Sequence, residues 1–220
     1  MHVASVHQGR GVGPLGILAM LVIVLVGNYP VAPAGALLVL LWVRWSRTPW
    51  RDIGYVRPES WPRDVAVGIA FGIAFKFLMK AVVMPPLGAP PVNPAFHYLA
   101  GNQAALPGAV YAMVVGAGFG EETVFRGYLF ERFGKLFGPG VRARTLIVLL
   151  TSLVFGLAHY SLQGLAGTEQ ATIVGLVFGT IFARTGRIWM LMCAHAAFDL
   201  TALAMIYWNF ETAVAHFIFK

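Results

Sequence analysis

The sequence predicts an all-α polytopic membrane protein, with about seven transmembrane helices (between roughly six and eight). Three observations predict it. Of 220 residues, 58% are hydrophobic and only 11% charged, where an average soluble chain is roughly a quarter charged; a water-soluble fold would have almost nothing polar left for its outside. Apolar runs long enough to cross a hydrocarbon core recur along the chain. Lys and Arg, sixteen in all, alternate between successive loops. The single cysteine, Cys193, excludes a disulfide scaffold, and an aromatic content of 13% excludes disorder.

The first expected span, 14–28, follows Arg10 and ends at Asn28-Tyr29-Pro30. It reads as a retained anchor, because the proline in Ala32-Pro33-Ala34 argues against signal-peptide cleavage there. Pro33 opens the second span, 33–45, since proline is tolerated in a first helical turn. The third is 64–84. After it, Pro85, Pro86, Pro90, Pro91 and Pro94 make a stiff connector over 85–95. The fourth, fifth, sixth and seventh spans are 105–131, 145–163, 169–184 and 188–208, and the tail 209–220 is too short to cross. Gly68/Gly72, Gly116/Gly120 and Gly175/Gly179 are small-xxx-small pairs that allow close helix packing. The whole chain, 1–220, is expected to form one membrane domain.

Charge placement gives the orientation. Arg10 precedes the first span; Arg44, Arg47, Arg51, Arg57 and Arg63 surround the second loop. Arg132, Lys135, Arg142 and Arg144 surround the fourth loop, and Arg184 and Arg187 the sixth. The intervening loops carry no Lys or Arg, so the positive-inside rule puts the N-terminus in the cytoplasm. The formal charge of +7 is then a topology signal with some affinity for anionic lipid. The bilayer is the expected partner and nucleic acid is not; the oligomeric state is not legible in the sequence.

Ionisable groups inside spans are costly and each is a functional candidate. Lys76 and Lys80 share a helix face and read as structural, Lys80 snorkelling near its span end. In Glu121-Glu122-Thr123-Val124-Phe125-Arg126, Arg126 is four residues from Glu122 and can pair with it on one face. Glu121 is rotated about 100° away, with no local partner, and is free for chemistry. Phe155 and His159 are four apart on the fifth span, as are His195 and Asp199 on the seventh. Acids and imidazoles from three helices can bind a metal, relay protons or hydrolyse a bond. At 1.5 Å per residue, Glu121 and His195 lie about 16 and 12 Å from the inner ends of their helices, and His159 about 22 Å along its own. His159 therefore joins the other two only if its helix tilts, starts late or breaks.

Glu-Glu-x-x-x-Arg, then Phe-x-x-x-His, then His-x-x-x-Asn or Asp, in order on separate spans, resembles the CPBP intramembrane proteases. These include type II CAAX prenyl endopeptidases and bacteriocin-processing, Abi-type proteins. The resemblance covers roughly 118–200 and assigns the catalytic helices to 105–209. It implies an endopeptidase acting on a membrane-associated protein or peptide, by CAAX-type cleavage or peptide maturation, in a bacterial inner membrane. Glu121 and His159 would activate water; His195 and Asp199 would stabilise the oxyanion; Glu122, Arg126 and Phe155 would support the site. Residue 199 is Asp where the prenyl endopeptidases typically have Asn, and an ionised carboxylate cannot donate to an oxyanion. The favoured glutamate mechanism needs no cofactor. In the metal-dependent alternative, Glu121, His159, His195 and Asp199 would ligate a divalent ion such as zinc, although no His-Glu-x-x-His signature occurs. A non-catalytic scaffold or immunity protein of the same fold is the rival reading.

Overall fold

Local chemistry fixes where the helices start and stop. The computed structural model describes Leu18 and residues 33–219, so the expected span 14–28 lies outside the described residues. Helix α1 is Ala34–Ser46, closed by Arg47 in the left-handed conformation. Helix α2 runs Trp61–Val83. Ser60 caps it by accepting from Arg63 N, and Pro62 and Asp64 sit in its first turn, where proline loses no bond and an acid meets the positive helix end. Helix α3, Gln103–Phe137, includes the wide, π-helical turns Ala112–Glu121 and Thr123–Tyr128. Helix α4, Val141–Thr185, follows Gly138-Pro139-Gly140, and Gly186 at φ 61° closes it. Helix α5 is Trp189–Tyr207 and α6 the short Glu211–Ala215. Among the described residues there is no strand.

Helices α2 to α5 are each long and apolar enough to cross a membrane, and the molecule is an integral membrane protein. The second expected span needs correction: α1 has 13 residues, about 20 Å of helix, short of a hydrocarbon core of about 30 Å. The separately expected spans 145–163 and 169–184 belong to α4, which is interrupted at Gly164 by φ 62° and ψ −158°, a conformation open essentially to glycine.

Packing shows that α4 turns back on itself there. A Cβ on Gly156 would meet Thr172 Oγ1 at 1.9 Å, one on Gly175 would meet Ser152 Cα at 2.9 Å, and one on Gly179 would meet Val148 Cγ1 at 3.4 Å. Partner numbers rise along one arm as they fall along the other, the register of an antiparallel hairpin with arms 141–163 and 165–185. The same reasoning orients α5. Cβ atoms on Gly68 and Gly72 of α2 would meet Met190 O at 2.6 Å and Ala194 O at 2.1 Å, so α2 and α5 run parallel. That direction follows when α3 and both arms of α4 separate them.

Large apolar side chains cover the outside. Leu146, Leu149, Leu153, Leu157 and Tyr160 are exposed at three- and four-residue intervals along the first arm of α4, an apolar stripe that hydrocarbon would solvate. The interior instead holds Lys76, Glu122, Arg126, Glu131, Arg132 and His195 alongside its apolar core.

Candidate active site

A glycine brings the two central helices together. A Cβ on Gly118 of α3 would lie 3.0 Å from both Met192 O and Ala196 Cβ of α5; without it the backbones approach closely. Four residues on, Glu122 accepts a hydrogen bond from His195 Nδ1 at 2.7 Å. The same oxygen, Oε1, lies 3.0 Å from Arg126 Nη1, the pair expected from their spacing. Neither Glu122 nor Arg126 is more than 2% exposed. The guanidinium carbon stacks 4.6 Å from the Phe155 ring centre and 5.5 Å from that of Phe178, where the ring faces attract a desolvated cation.

Above this buried layer lies an accessible one. The side chains of Glu121 and Asp199 are 31% and 29% exposed, enough to meet water or substrate. Glu121 Oε2 is buried and has no hydrogen-bond partner among the described residues. It lies 3.7 Å from His195 Nε2, and Asp199 Oδ2 lies 3.8 Å from the same nitrogen. These gaps are too long for direct hydrogen bonds, but one water can reach two such groups at once. Glu122 holds Nδ1, so Nε2 faces the open side; this is how a buried carboxylate fixes the orientation and tautomer of an imidazole.

His159 sits apart from that trio. Its Nδ1 is 2.8 Å from Phe155 O, and its ring packs edge-on against Phe155 with centroids 4.7 Å apart. Among the described residues it makes no ion pair or hydrogen bond with Glu121, His195 or Asp199. Phe155 connects the two imidazoles, its centroid also lying 6.0 Å from that of His195. The four side chains proposed as metal ligands are therefore not gathered: no group of three or more His, Cys, Asp or Glu among the described residues is arranged to hold one ion. Each imidazole has Nδ1 on an oxygen, Glu122 for His195 and Phe155 O for His159, which leaves its Nε2 open.

Several supports were not singled out from the sequence. Phe178 packs edge-on against His195 at 5.7 Å, but an aromatic in an apolar span gives no signal of its own. Thr123 donates to Phe119 O at 2.6 Å, so its 2.8 Å contact with Tyr55 must take the phenol as donor. Burial pushes the Tyr55 phenol up from its ordinary pKa, against the bond to Thr123 that lowers it, and it stays a neutral donor. Tyr55 thus ties the α1–α2 connection to the residue after Glu122. Lys76 donates to Gln170 Oε1 at 3.1 Å, and Lys80 pairs with Glu211 at 2.9 Å. Lys80 was expected to snorkel outward; an acid on α6, distant in sequence, holds it inside.

No curated protein and no solved structure matches the chain. Every side chain of the cluster, from Glu121 on α3 through His159 on α4 to Asp199 on α5, falls within residues 103–201, and this stretch matches the protease family described as type II CAAX prenyl endopeptidase Rce1-like, the family its motifs resemble.

Proposed function

We propose that the protein is an intramembrane endopeptidase that hydrolyses a peptide bond in a membrane-associated protein or peptide, with Glu121 as the general base. The observation that carries this is the buried Glu121 Oε2, without a hydrogen-bond partner and 3.7 Å from His195 Nε2. A water held between these atoms loses a proton to Glu121 as its oxygen attacks the scissile carbonyl. The carbonyl becomes a tetrahedral oxyanion, and His195, protonated on both nitrogens, donates to it from Nε2 while Nδ1 stays on Glu122. Glu121 then returns the proton to the leaving amine, and the C–N bond breaks.

This division gives Asp199 a role that does not require it to donate. Standing 3.8 Å from Nε2, it helps orient the ring and offsets its charge, where an asparagine would offer an amide N–H. His159 is the second imidazole of the site: with Nδ1–H donated to Phe155 O, its Nε2 remains an acceptor for a proton or for substrate. No step is routed through a metal. The matched family supports a CAAX-type substrate, and the basic loops support a cytoplasmic N-terminus. Purified protein in detergent or liposomes, incubated with prenylated and unprenylated C-terminal peptides, tests the reading. Cleavage by wild type and none by Glu121→Ala is expected; equal cleavage by both removes Glu121 as the base.

A further inference from the structure

About one helical turn beyond the cluster lies a second polar space, partly open and lined by α2, α4, α5 and α6. It is a cavity of about 100 Å³ whose polar lining is Lys76, Lys80, Asn93, Gln163, Gln170 and Glu211. It adjoins the candidate active site by helical register. Gln163 is four residues past His159 and Ala202 three past Asp199, and both line the cavity, so it begins roughly 5 Å further along the same faces. The proline-rich segment after α2 covers it with Pro85, Pro90 and Pro94, which makes that segment more than a connector.

The two ammonium groups in this space are in different states. Lys80 is ion-paired to Glu211, which also accepts from Asn93 N at 3.2 Å. Lys76 is 7% exposed, and its contacts are neutral: Gln170 Oε1 at 3.1 Å and the Phe198 ring at 4.7 Å. It has no ion pair among the described residues; Asp199 and Glu211 attract it, and Lys80 repels it, only through space. A buried ammonium is costly unless a counter-charge reaches it. Two of its three N–H donors remain. Because Gln170 accepts with its oxygen, its amide NH₂ also remains a donor. A set of donors around one cation, with apolar walls from Met205 and Ile206, fits a carboxylate on a short apolar peptide.

We propose that Lys76, with Gln170 and Gln163, forms a subsite for a carboxylate of the substrate, a few residues from the bond that Glu121 attacks. The proposal rests on the protease reading for its substrate but not for its binding chemistry. The carboxylate has two possible sources, a free chain terminus or an Asp or Glu side chain.

Calorimetric titration of the full-length Glu121→Gln protein separates them. The probes are N-acetyl-Leu-Leu with a free terminus, its C-terminal amide, and N-acetyl-Leu-Glu amide. At least one carboxylate-bearing peptide should bind 10-fold or more tightly than the neutral amide, and which one does identifies the source. Lys76→Gln should erase the difference and Lys76→Arg preserve it; should Lys76→Gln not fold, Gln170→Leu should reduce it. Equal binding of all three peptides, no measurable binding, or a preference that survives Lys76→Gln overturns the subsite. Failure of the protease reading looks different: wild type cleaves nothing while the Lys76-dependent preference persists.

Discussion

Glu122 Oε1 serves both His195 and Arg126, so the consequences of changing each neighbour differ. Removing the guanidinium with Arg126→Ala leaves a fully buried carboxylate with His195 as its remaining partner and opens the space between Phe155 and Phe178. The expected loss is about 3–5 kcal/mol, read as a lowered melting temperature in detergent; an unchanged one would mean that the pair is not stabilising. Glu122→Gln keeps an acceptor for His195 Nδ1 but removes the charge behind it. By analogy with the buried acid of a hydrolase triad, kcat should fall by about 10²-fold or more while the protein stays folded. Retained kcat would assign Glu122 to stability alone. These two residues also show what spacing reveals. The Glu122–Arg126 contact was legible because it is local to one helix, whereas the shorter bond from His195 spans 73 positions. It depends on Gly118, which no pattern of charges singles out.

At the scale of elements, glycine decides which helices touch. Gly72→Val places atoms where Ala194 O now stands, 2.1 Å from the Cβ position, next to His195. Overpacking of this kind costs about 1–3 kcal/mol, and here it also shifts His195 relative to Glu121. The variant should melt earlier and lose activity beyond its loss of folded protein, assayed at a temperature where both proteins are folded. Wild-type activity would show that α2 does not position the site. The paired glycines at 68/72 and 175/179 were legible as packing faces because their helices are regular. On α3 it is Gly118 that meets α5, while Gly120 faces Pro33 instead; both lie in the wide turns of Ala112–Glu121, where regular helical spacing no longer tells which residues face the neighbour. The turn at Gly164 was legible as a break between spans, and so was the length of α1, since the expected bounds 33–45 lie within a residue of Ala34–Ser46; what apolar composition does not distinguish is a short helix from a crossing one.

Over the whole molecule, charge and hydropathy made the class plain: helices, membrane and a scarcity of acids. Of nine acids in the chain, Glu121, Glu122 and Asp199 meet at one imidazole. Composition could not reveal that Glu211, near the C-terminal end, turns inward to neutralise Lys80. Orientation is testable directly. In a Cys193→Ser background, Leu87→Cys and Leu136→Cys place single exposed thiols beyond α2 and near the end of α3. A membrane-impermeant maleimide added to intact cells should label residue 87 and spare residue 136; the reverse pattern would invert the topology.

The central claim, that Glu121 activates water to cut a membrane-associated substrate, is met most directly by mass spectrometry of membrane-protein termini in cells carrying wild type or Glu121→Ala at equal abundance. The account predicts one or more C-terminal cleavage products present with wild type and replaced by their uncut precursors in the variant. Identical sets of termini in the two strains would contradict it.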